Sequence, residues 1–355
     1  MATLESRHLL DLLGIEWPIV QAPMAGISTP QMAAAVANAG GLGSIGVGAM
    51  TAGAAAEAVR EFRERSQGPL NINVFCHRPA AKDGEREAAW LEALRPQFES
   101  VGADVPVSLR EIYRSFVADE AMFATLLAAR PRVVSFHFGL PPAAWIRAFR
   151  ATGTVLLATA TNLAEATASV NAGVQVIVAQ GYEAGGHRGI FDPDGPDERL
   201  GTATLTRLLA RRLHVPVIAA GGIMDGQGVS AALRLGAGAA QLGTAFVGTE
   251  ESAADDGYRT ALFSEEANHT VMTRVISGRP ARCLANRFTA FGATVTRHVP
   301  SYPIAYDAAK SLHAAAKTVG EWGYGAQWAG QGAPLARRLS AAALVAALVA
   351  ELNAP

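Results

Sequence analysis

The stretches VPVIAAGGI at residues 215–223 and AAQLGTAF at residues 239–246 decide the fold. Each starts as a short apolar run and ends in a glycine-containing loop, which is typical of a buried parallel strand in a βα unit. Toward the N-terminus, similar runs alternate with helical patterns. The predicted strands are Ile19–Pro23, Leu42–Gly46, Leu70–Phe75, Val133–Phe138, Val155–Ala158, Val174–Ala179, Val215–Ala220 and Ala239–Thr244. Eight such units favour a closed (β/α)8 TIM barrel over an open doubly wound sheet.

The intervening helices have recognisable start and stop signals. Thr29, followed by a proline, and Asn162, followed by a glutamate three residues later, are typical N-cap residues. Glycines stand where three of these helices should end, at Gly40, Gly173 and Gly236. The recurrence indicates one repeated βα module.

The length and composition allow a large core. With 355 residues, half of them hydrophobic, the chain is either two domains or one barrel with an insertion. After Phe246 the alternation stops, and residues 250 to about 320 have the patterns of helices and loops with no convincing strand. We therefore predict a barrel with a mainly helical insertion after strand eight, with residues 1–248 and 321–355 forming the barrel and 249–320 a smaller substrate-side domain.

Charge and hydropathy narrow the class of partner. The net charge is −1, and lysines and arginines form no cluster along the chain, which argues against a nucleic-acid partner. The apolar stretch Ala341–Ala350 is about half the length that crosses a bilayer, and it predicts a packed helix. The N-terminus has no signal-peptide pattern, so we expect a cytoplasmic protein. Cys76 and Cys283 lack metal-type spacing and are predicted to be free thiols. A small-molecule partner is favoured, and the oligomeric state, monomer or homodimer, stays open.

The loops after strands seven and eight form a candidate phosphate site. Gly221 and Gly222 follow one strand, and Gln241, Leu242, Gly243 and Thr244 span the end of the other. Glycines expose backbone N–H groups, and a helix N-terminus that follows them favours an anion. Barrels of this kind commonly bind phosphate at these two loops. The chain has neither a GxGxxG after its first strand nor a GxxxxGK[ST], so the sequence predicts a phosphate-bearing cofactor outside the Rossmann and P-loop classes.

His187 is the leading candidate for catalysis. It lies in a glycine-rich loop after strand six that is longer than most βα loops, and an imidazole titrates near neutral pH. A solvated loop histidine is the structural alternative. His137 ends strand four, where a ligand contact and a purely structural histidine are equally compatible with the pattern. Asn73 is polar inside an apolar strand and needs a partner, which a flavin edge would supply.

Two further segments face the same end of the barrel. Strand one ends in QAPMAG at residues 21–26, whose small residues let a flat ring approach, although a tight βα turn is the commoner explanation. In the insertion, Tyr302, Tyr306 and Lys310 recur every four residues, so Tyr306 and Lys310 would share a helix face. A cation beside phenols could hold an anionic substrate, whereas a solvated helix face is the alternative.

Together these segments resemble the nitronate monooxygenase family, once called 2-nitropropane dioxygenases, and specifically its class I members. The resemblance spans nearly the whole chain. The segments that carry it are QAPM at 21–24, NINVFCHRP at 71–79, AQGYEAGGHRG at 179–189, AAGGIMDG at 219–226, QLGTAF at 241–246 and YDAAK at 306–310.

The resemblance implies non-covalent FMN, no metal, and an assignment of site residues. His187 corresponds to the catalytic histidine, and Met24 to a residue beside the flavin. The other implied FMN contacts are Asn73, Gln180, Gly185, Gly221, Gly222, Gln241, Leu242, Gly243 and Thr244. The implied substrate pocket comprises His137, Tyr302, Tyr306 and Lys310.

The implied reaction is oxidation of an alkyl nitronate, such as propionate 3-nitronate, by O₂ to a carbonyl product and nitrite. A protonated His187, or Lys310, would stabilise the anionic nitronate, whereas a neutral nitroalkane would require unprotonated His187 as the base. One alternative is an FMN-dependent reductase that passes electrons from NAD(P)H to a quinone or an enoyl thioester. Another is a non-catalytic flavin-binding protein, which would keep the phosphate loops without needing His187.

Overall fold

The computed structural model describes residues 4–295 and 299–354, with side chains from residue 7 onward. All eight predicted strands are present, and their ends differ from the prediction by at most two residues. The strands are β1 (Ile19–Gln21), β2 (Gly43–Gly46), β3 (Leu70–Phe75), β4 (Val133–His137), β5 (Val155–Ala160), β6 (Val176–Gln180), β7 (Gly186–His187), β8 (Val217–Ala220), β9 (Ala239–Leu242), β10 (Thr270–Thr273) and β11 (Ala281–Leu284).

Eight of these strands close into a barrel. Their order is β1-β9-β8-β6-β5-β4-β3-β2, and every neighbouring pair is parallel. A parallel bridge between Val20 and Leu42 joins β1 to β2 and completes the ring. The predicted barrel is therefore confirmed, with β8 and β9 as its seventh and eighth strands.

Helices alternate with the barrel strands and continue through the insertion. They are α1 (Leu4–Leu13), α2 (Pro30–Asn38), α3 (Ala52–Arg65), α4 (Gly84–Glu99), α5 (Glu120–Ala129), α6 (Ala143–Ala151), α7 (Leu163–Ala172), α8 (Thr202–Arg212), α9 (Gly226–Arg234), α10 (Thr244–Val247), α11 (Asp256–Leu262), α12 (Arg287–Val295), α13 (Ile304–Thr318) and α14 (Ala341–Leu352). Thr29 accepts from Met32 N and Asn162 from Glu165 N, as capping residues do. Gly173 ends α7 at a φ of 102°, a left-handed conformation that favours glycine.

The barrel interior is filled at its N-terminal end. Val133, Val155 and Val176, which begin three of the strands, form a buried cluster with Leu9 and Leu13 of α1. Burial of these apolar side chains stabilises the closed sheet, and α1 seals this end. A ligand site can therefore open only at the C-terminal ends of the strands, which is where the fold usually carries it.

The insertion contains strands that the sequence analysis did not predict. β10 pairs antiparallel with β11, and β11 pairs antiparallel with the short β7, so that Ala281 lies opposite His187. The expectation that residues 250–320 lack a strand was wrong. Strands β10 and β11 have four residues each, too few to give a recognisable alternation of apolar and polar residues. Their pairing ties the insertion to the loop that carries His187.

A second long connection contributes to the same end of the barrel. Residues 76–132, between β3 and β4, contain α4 and α5. Trp90 and Leu94 of α4 are fully buried in one apolar cluster with Ile304 and Leu312 of α13. The covering of the barrel is thus built from two separate parts of the chain. The division into a barrel domain of residues 1–248 and 321–355 and a smaller domain of residues 249–320 remains a prediction.

The C-terminal segment folds as the predicted packed helix. Leu344, Val345 and Leu348 of α14 are buried against α2 and α9 in one cluster. None of the helices within residues 4–295 and 299–354 has the length and apolar character needed to cross a bilayer. The N-terminal stretch used to predict the cellular location begins with residues outside the described ones. Cys76 and Cys283 are buried free cysteines, as predicted.

We expect Leu344→Ala to lower the free energy of unfolding by about 2–4 kcal/mol, because it removes a fully buried side chain and leaves a cavity. Chemical denaturation measures the change. Leu335→Ala is the matched control, because Leu335 is 58% exposed and its truncation should cost less than about 0.5 kcal/mol. If Leu344→Ala and Leu335→Ala lost the same free energy of unfolding, Leu344 of α14 would not be packed against the barrel.

Candidate active site

A cavity of about 400 Å³ opens at the C-terminal ends of the barrel strands. This volume lies in the range of small-molecule sites. Its lining comes from the barrel loops, from α13 and from residues 324–332. The predicted residues that line it are Met24, Asn73, His137, Gln180, Gly185, His187, Gly221, Gly222, Gln241, Gly243, Thr244, Tyr302, Tyr306 and Lys310.

Leu242 does not line the cavity. Its side chain is 1% exposed and packs in the apolar cluster between the barrel and α14. Its carbonyl oxygen accepts a hydrogen bond from Ala22 N at 2.8 Å. Successive side chains of a strand point to opposite faces, so a residue next to Gln241, which faces the cavity, must point into the packed layer. The Leu242 side chain therefore points away from the cavity, and the cofactor contact implied for this residue stays a prediction that only its backbone could fulfil.

One end of the cavity presents unpaired hydrogen-bond donors. Gly221 and Gly222 have φ values of 125° and 71°, which turn the chain sharply after β8. Within the described residues, no acceptor pairs with Gly222 N. The hydroxyl oxygen of Thr244 accepts from Gly330 N at 2.9 Å, so its own O–H is free to donate. These donors suit an anionic oxygen.

Protein carboxylates cover the N-terminus of α9, the helix after β8. Asp225 caps α9 and accepts from Gly228 N at 2.7 Å. Glu351 accepts from Gly226 N at 2.8 Å. These carboxylates occupy the backbone donors and offset the positive end of the helix dipole. The anion-binding capacity of this end therefore comes from the turn at residues 221–222 and from Thr244.

Asn73 and Gln180 find partners inside the protein. The Asn73 amide donates to the Ser135 carbonyl and hydroxyl oxygens at 3.1 and 3.0 Å. A flavin is therefore not needed to satisfy the Asn73 amide N–H groups, although the residue lines the cavity. Gln180 donates to the His187 carbonyl at 2.9 Å and accepts from Gly189 N at 2.7 Å. Its side chain thus holds both sides of the loop that carries the candidate catalytic histidine.

Residues 324–332 form a wall that the sequence analysis missed. Gly330 lies so close to Gly185 that a Cβ on Gly185 would stand 2.4 Å from Gly330 N. Trp328, from the same segment, packs against His187 with 4.9 Å between the ring centroids. The segment has little regular structure and no charged residue between 322 and 336, so no chemical motif marks it in the sequence.

His187 stands in a mostly aromatic pocket. Its Nε2 is 2.8 Å from the hydroxyl of Ser277, and its ring contacts Tyr302 and Trp328. Burial lowers the pKa of His187 well below its usual value, and the neighbouring His137 and Arg279 add to this effect. The imidazole is therefore uncharged at neutral pH.

The hydrogen bonds of Ser277 favour one tautomer of His187. The Ser277 hydroxyl is placed to donate to the Arg279 carbonyl at 3.3 Å, so its oxygen accepts from His187 Nε2–H. Nδ1 then carries the lone pair, and it has no hydrogen-bond partner among the described residues. This nitrogen is the one left for a ligand.

His137 is held in place on both sides. Its Nδ1 lies 3.0 Å from the Thr159 hydroxyl and its Nε2 lies 3.3 Å from the His187 carbonyl. A proton on Nε2 satisfies the carbonyl, and Nδ1 then accepts from the hydroxyl. Burial lowers the pKa of His137 to about 3, with a further contribution from Arg279. His137 is therefore a neutral part of the wall.

The opposite wall combines phenols with an ammonium group. Tyr306 and Lys310 share one face of α13, as predicted, and the Lys310 Nζ lies 5.5 Å from the Tyr306 ring centre. Tyr113, which the sequence analysis missed, lies 5.1 Å from the same Nζ. Burial raises the pKa of Tyr302, whose hydroxyl is buried with no partner in the described structure. The wall thus offers an exposed cation and an unused hydroxyl.

The remaining charges of the lining are paired. Asp255 is the carboxylate among the described lining residues, and it lies 3.0 Å from Lys317 Nζ and 3.4 Å from His313 Nε2. The described residues contain no group of three or more histidines, cysteines or carboxylates arranged to hold a metal ion. The cavity therefore suits an anionic organic ligand better than a cationic one.

Comparisons with known proteins agree on one family. The family model described as nitronate monooxygenase matches residues 6–351. A nitronate monooxygenase of Paraburkholderia phytofirmans is 61% identical, covering 98% of this chain and 95% of that protein. One of Pseudomonas aeruginosa is 52% identical, covering 96% and 98%.

Solved structures agree with the fold. A nitroalkane oxidase from Streptomyces ansochromogenes has a TM-score of 0.89 at 38% identity, covering 97% of each chain. FabK from Thermotoga maritima has a TM-score of 0.73 at 28% identity, covering 97% of this chain and 95% of the other. The similarity to both extends over the barrel and its covering segments.

We expect acid to destabilise the protein partly through His77, and His77→Gln to reduce this effect. His77 is 1% exposed behind Tyr302, and burial lowers its pKa to about 4. Between about pH 6.5 and that value the unfolded chain binds the proton and the folded one does not, so stability falls as the pH falls. The variant should lose about 1–2 kcal/mol less than the parent between pH 7 and pH 5.

Urea unfolding at the two pH values measures this difference. His214→Gln is the control, because His214 is exposed on the surface, and it should keep the acid sensitivity of the parent. If the loss between the two pH values were the same in all three proteins, His77 would not be held uncharged in the fold.

Proposed function

The chain belongs to the nitronate monooxygenase family, and we propose that it binds FMN in the cavity and oxidises alkyl nitronates with O₂ to a carbonyl product and nitrite. It is thus an oxidoreductase. The observation that carries the proposal is the arrangement of the cavity: unpaired donors at residues 222 and 244 lie at one end, and His187 faces Tyr306 and Lys310 in the remainder. This arrangement offers an anchor for a phosphate and a place for a small anion beside a flat ring.

The residues present fit a flavin mononucleotide. Gly222 N and the Thr244 hydroxyl are available to phosphate oxygens, and the Gln241 amide faces the cavity without a partner among the described residues. Ala25 and Gly26 line the same space beside Met24, and their small size leaves room for a planar ring. When bound, FMN supplies the redox chemistry, taking electrons from the substrate and passing them to O₂.

The walls would hold the substrate by its charge. A nitronate is an anion, and the Lys310 ammonium is exposed at the cavity between Tyr113 and Tyr306. A substrate such as propionate 3-nitronate carries a carboxylate as well, for which Lys310 is a suitable partner. Tyr302 and Tyr306 line the same cavity, so the anion would be held among phenol rings.

His187 is in the state required of a base. Its uncharged ring and its open Nδ1 can accept the proton α to the nitro group of a neutral nitroalkane, which converts it to the nitronate within the cavity. A nitronate taken from solution has already lost that proton. For the nitronate, His187 therefore serves to orient the substrate rather than to deprotonate it.

We expect His187→Asn to separate these two roles. Turnover of a neutral nitroalkane should fall about 100-fold or more, because the general base is lost, whereas oxidation of propionate 3-nitronate should fall by a smaller factor. Oxygen uptake with each substrate measures both. His214→Asn is the control and should behave as the parent. Unchanged turnover of both substrates would show that His187 is not catalytic.

The same preparation tests the reductase alternative. Anaerobic mixing of the parent protein with NADH should leave the flavin oxidised if the protein is a nitronate monooxygenase. Rapid bleaching by NADH, together with no oxygen uptake on addition of propionate 3-nitronate, would favour the reductase and contradict the proposal.

We expect Thr244→Val to weaken FMN binding about tenfold, because it removes a hydrogen bond to a charged group while keeping the side-chain volume. Fluorescence titration of the FMN-free protein measures the dissociation constant. Thr249→Val is the matched control: Thr249 is also buried, but its hydroxyl donates to Phe246 O and does not line the cavity. If the parent protein bound no added FMN, the proposed cofactor would be wrong.

A further inference from the structure

Arg279 is buried without an ion-pair partner. The residue is 3% exposed, and no carboxylate of the described residues lies within ion-pair distance of its guanidinium group. Nη2 donates to the Ile190 carbonyl, whereas Nε is buried with no acceptor in the described structure. Burial lowers the pKa of Arg279 to about 10, so the group is still charged at neutral pH.

The nearby carboxylates are engaged elsewhere. Asp194 and Glu165 attract Arg279 only at longer range. Asp194 is paired with Arg274 at 2.9 Å, and the Glu165 oxygens accept from Thr161 and from Phe191 N. An unpaired buried charge is costly and is rarely retained without a function. The question is then what the charge acts on.

The guanidinium group lies directly behind the wall that carries His187. It stacks over the Phe138 ring at 4.2 Å from the centroid. The Phe138 ring in turn contacts the rings of His187 and Tyr302, with centroid separations of 5.6 and 5.5 Å. The cation–π contact holds the charge at a fixed place without neutralising it. Arg279 itself does not line the cavity.

On the premise of the function proposed above, we propose that Arg279 is a positioning residue whose fixed positive charge, acting through the Phe138–His187 wall, favours an anionic substrate in the cavity. A charge in a dry interior is screened little by water or salt, so it acts over a longer distance than an exposed ammonium such as Lys310. The same charge disfavours protonation of the histidines beside it. Arg279 thus favours an anion in the cavity and also keeps His187 ready to act as a base.

Several groups face His187 and bear on its titration. They are His137 from the end of β4, His77 from the loop after β3, Arg279 from the insertion, and Tyr302 and Tyr306 from the segment at the start of α13. Among these, Arg279 is the group that carries a charge at neutral pH, because burial keeps the histidines neutral and raises the pKa of each tyrosine. Removing the charge of Arg279 should therefore change the pKa of His187 more than removing any other of these groups.

The first experiment uses the FMN-loaded protein and nitrate as a non-reacting planar anion. The flavin absorbance change on titration gives the dissociation constant for nitrate. Arg279→Gln should weaken nitrate binding about tenfold or more, because a nearby charge in a low-dielectric wall is lost. Arg279→Lys keeps the charge and should restore the affinity to within about threefold of the parent.

Arg274→Gln is the matched control. It removes one positive charge from the same segment, but Arg274 is half-exposed and paired with Asp194, so the nitrate affinity should stay within about threefold of the parent. Equal nitrate affinity in the parent and in Arg279→Gln would overturn the proposal. Equal losses in Arg279→Gln and Arg279→Lys would do so as well, because they would indicate a packing role rather than a role for the charge.

The second experiment follows the protonation of His187 by NMR of the ¹⁵N-histidine-labelled protein. In the parent, His187 should take up its proton at a pH well below the ordinary histidine value, and in Arg279→Gln it should do so at a higher pH than in the parent. Should Arg279→Gln fail to fold, the parent alone still decides: a His187 that titrates near the ordinary histidine value of about 6.5 would overturn the proposal. Neither readout requires turnover, so a parent that binds nitrate but oxidises no nitronate would contradict only the proposed function.

Discussion

Closure of the parallel sheet is the constraint on which the site depends. Once the Val20–Leu42 bridge completes the ring, every strand leaves the barrel at the same rim. Because the valines at the strand starts and α1 fill the other end, no space for a ligand remains there. The loops after β1, β3, β4, β6, β8 and β9 must therefore meet around one cavity, although they are up to 220 residues apart in the chain.

The sequence was sufficient to predict the barrel and the part of the lining that lies at the strand ends, for a physical reason. Buried parallel strands are apolar on both faces, so they stand out even when short, and the residues that follow them must face the rim. Strands β10 and β11 could not be predicted in this way, because four residues are too few to show a period. Tyr113 and residues 324–332 could not be predicted either, because they belong to connections whose path depends on tertiary packing. Leu242 was predicted because the motif was carried over whole, whereas the pleat sends neighbouring side chains to opposite faces, so its side chain points away from the cavity.

The electrostatic character of the site follows from how dry its walls are. Aromatic and aliphatic neighbours keep His77, His137 and His187 uncharged, and they also leave Arg279 without a counterion. The buried histidines and the unpaired arginine both cost stability in the absence of a ligand. An anion in the cavity would offset the cost of the unpaired Arg279 charge. The sequence could not reveal this, because Arg279 lies 92 residues from His187 and follows no motif.

The close contact between Gly185 and Gly330 has a consequence for biosynthesis. The strands of the barrel precede residue 248, whereas the segment that passes over Gly185 is translated afterwards. During elongation the barrel rim can therefore form while residues 76–132 are its only translated covering, and the wall over Gly185 is completed when residue 330 has emerged.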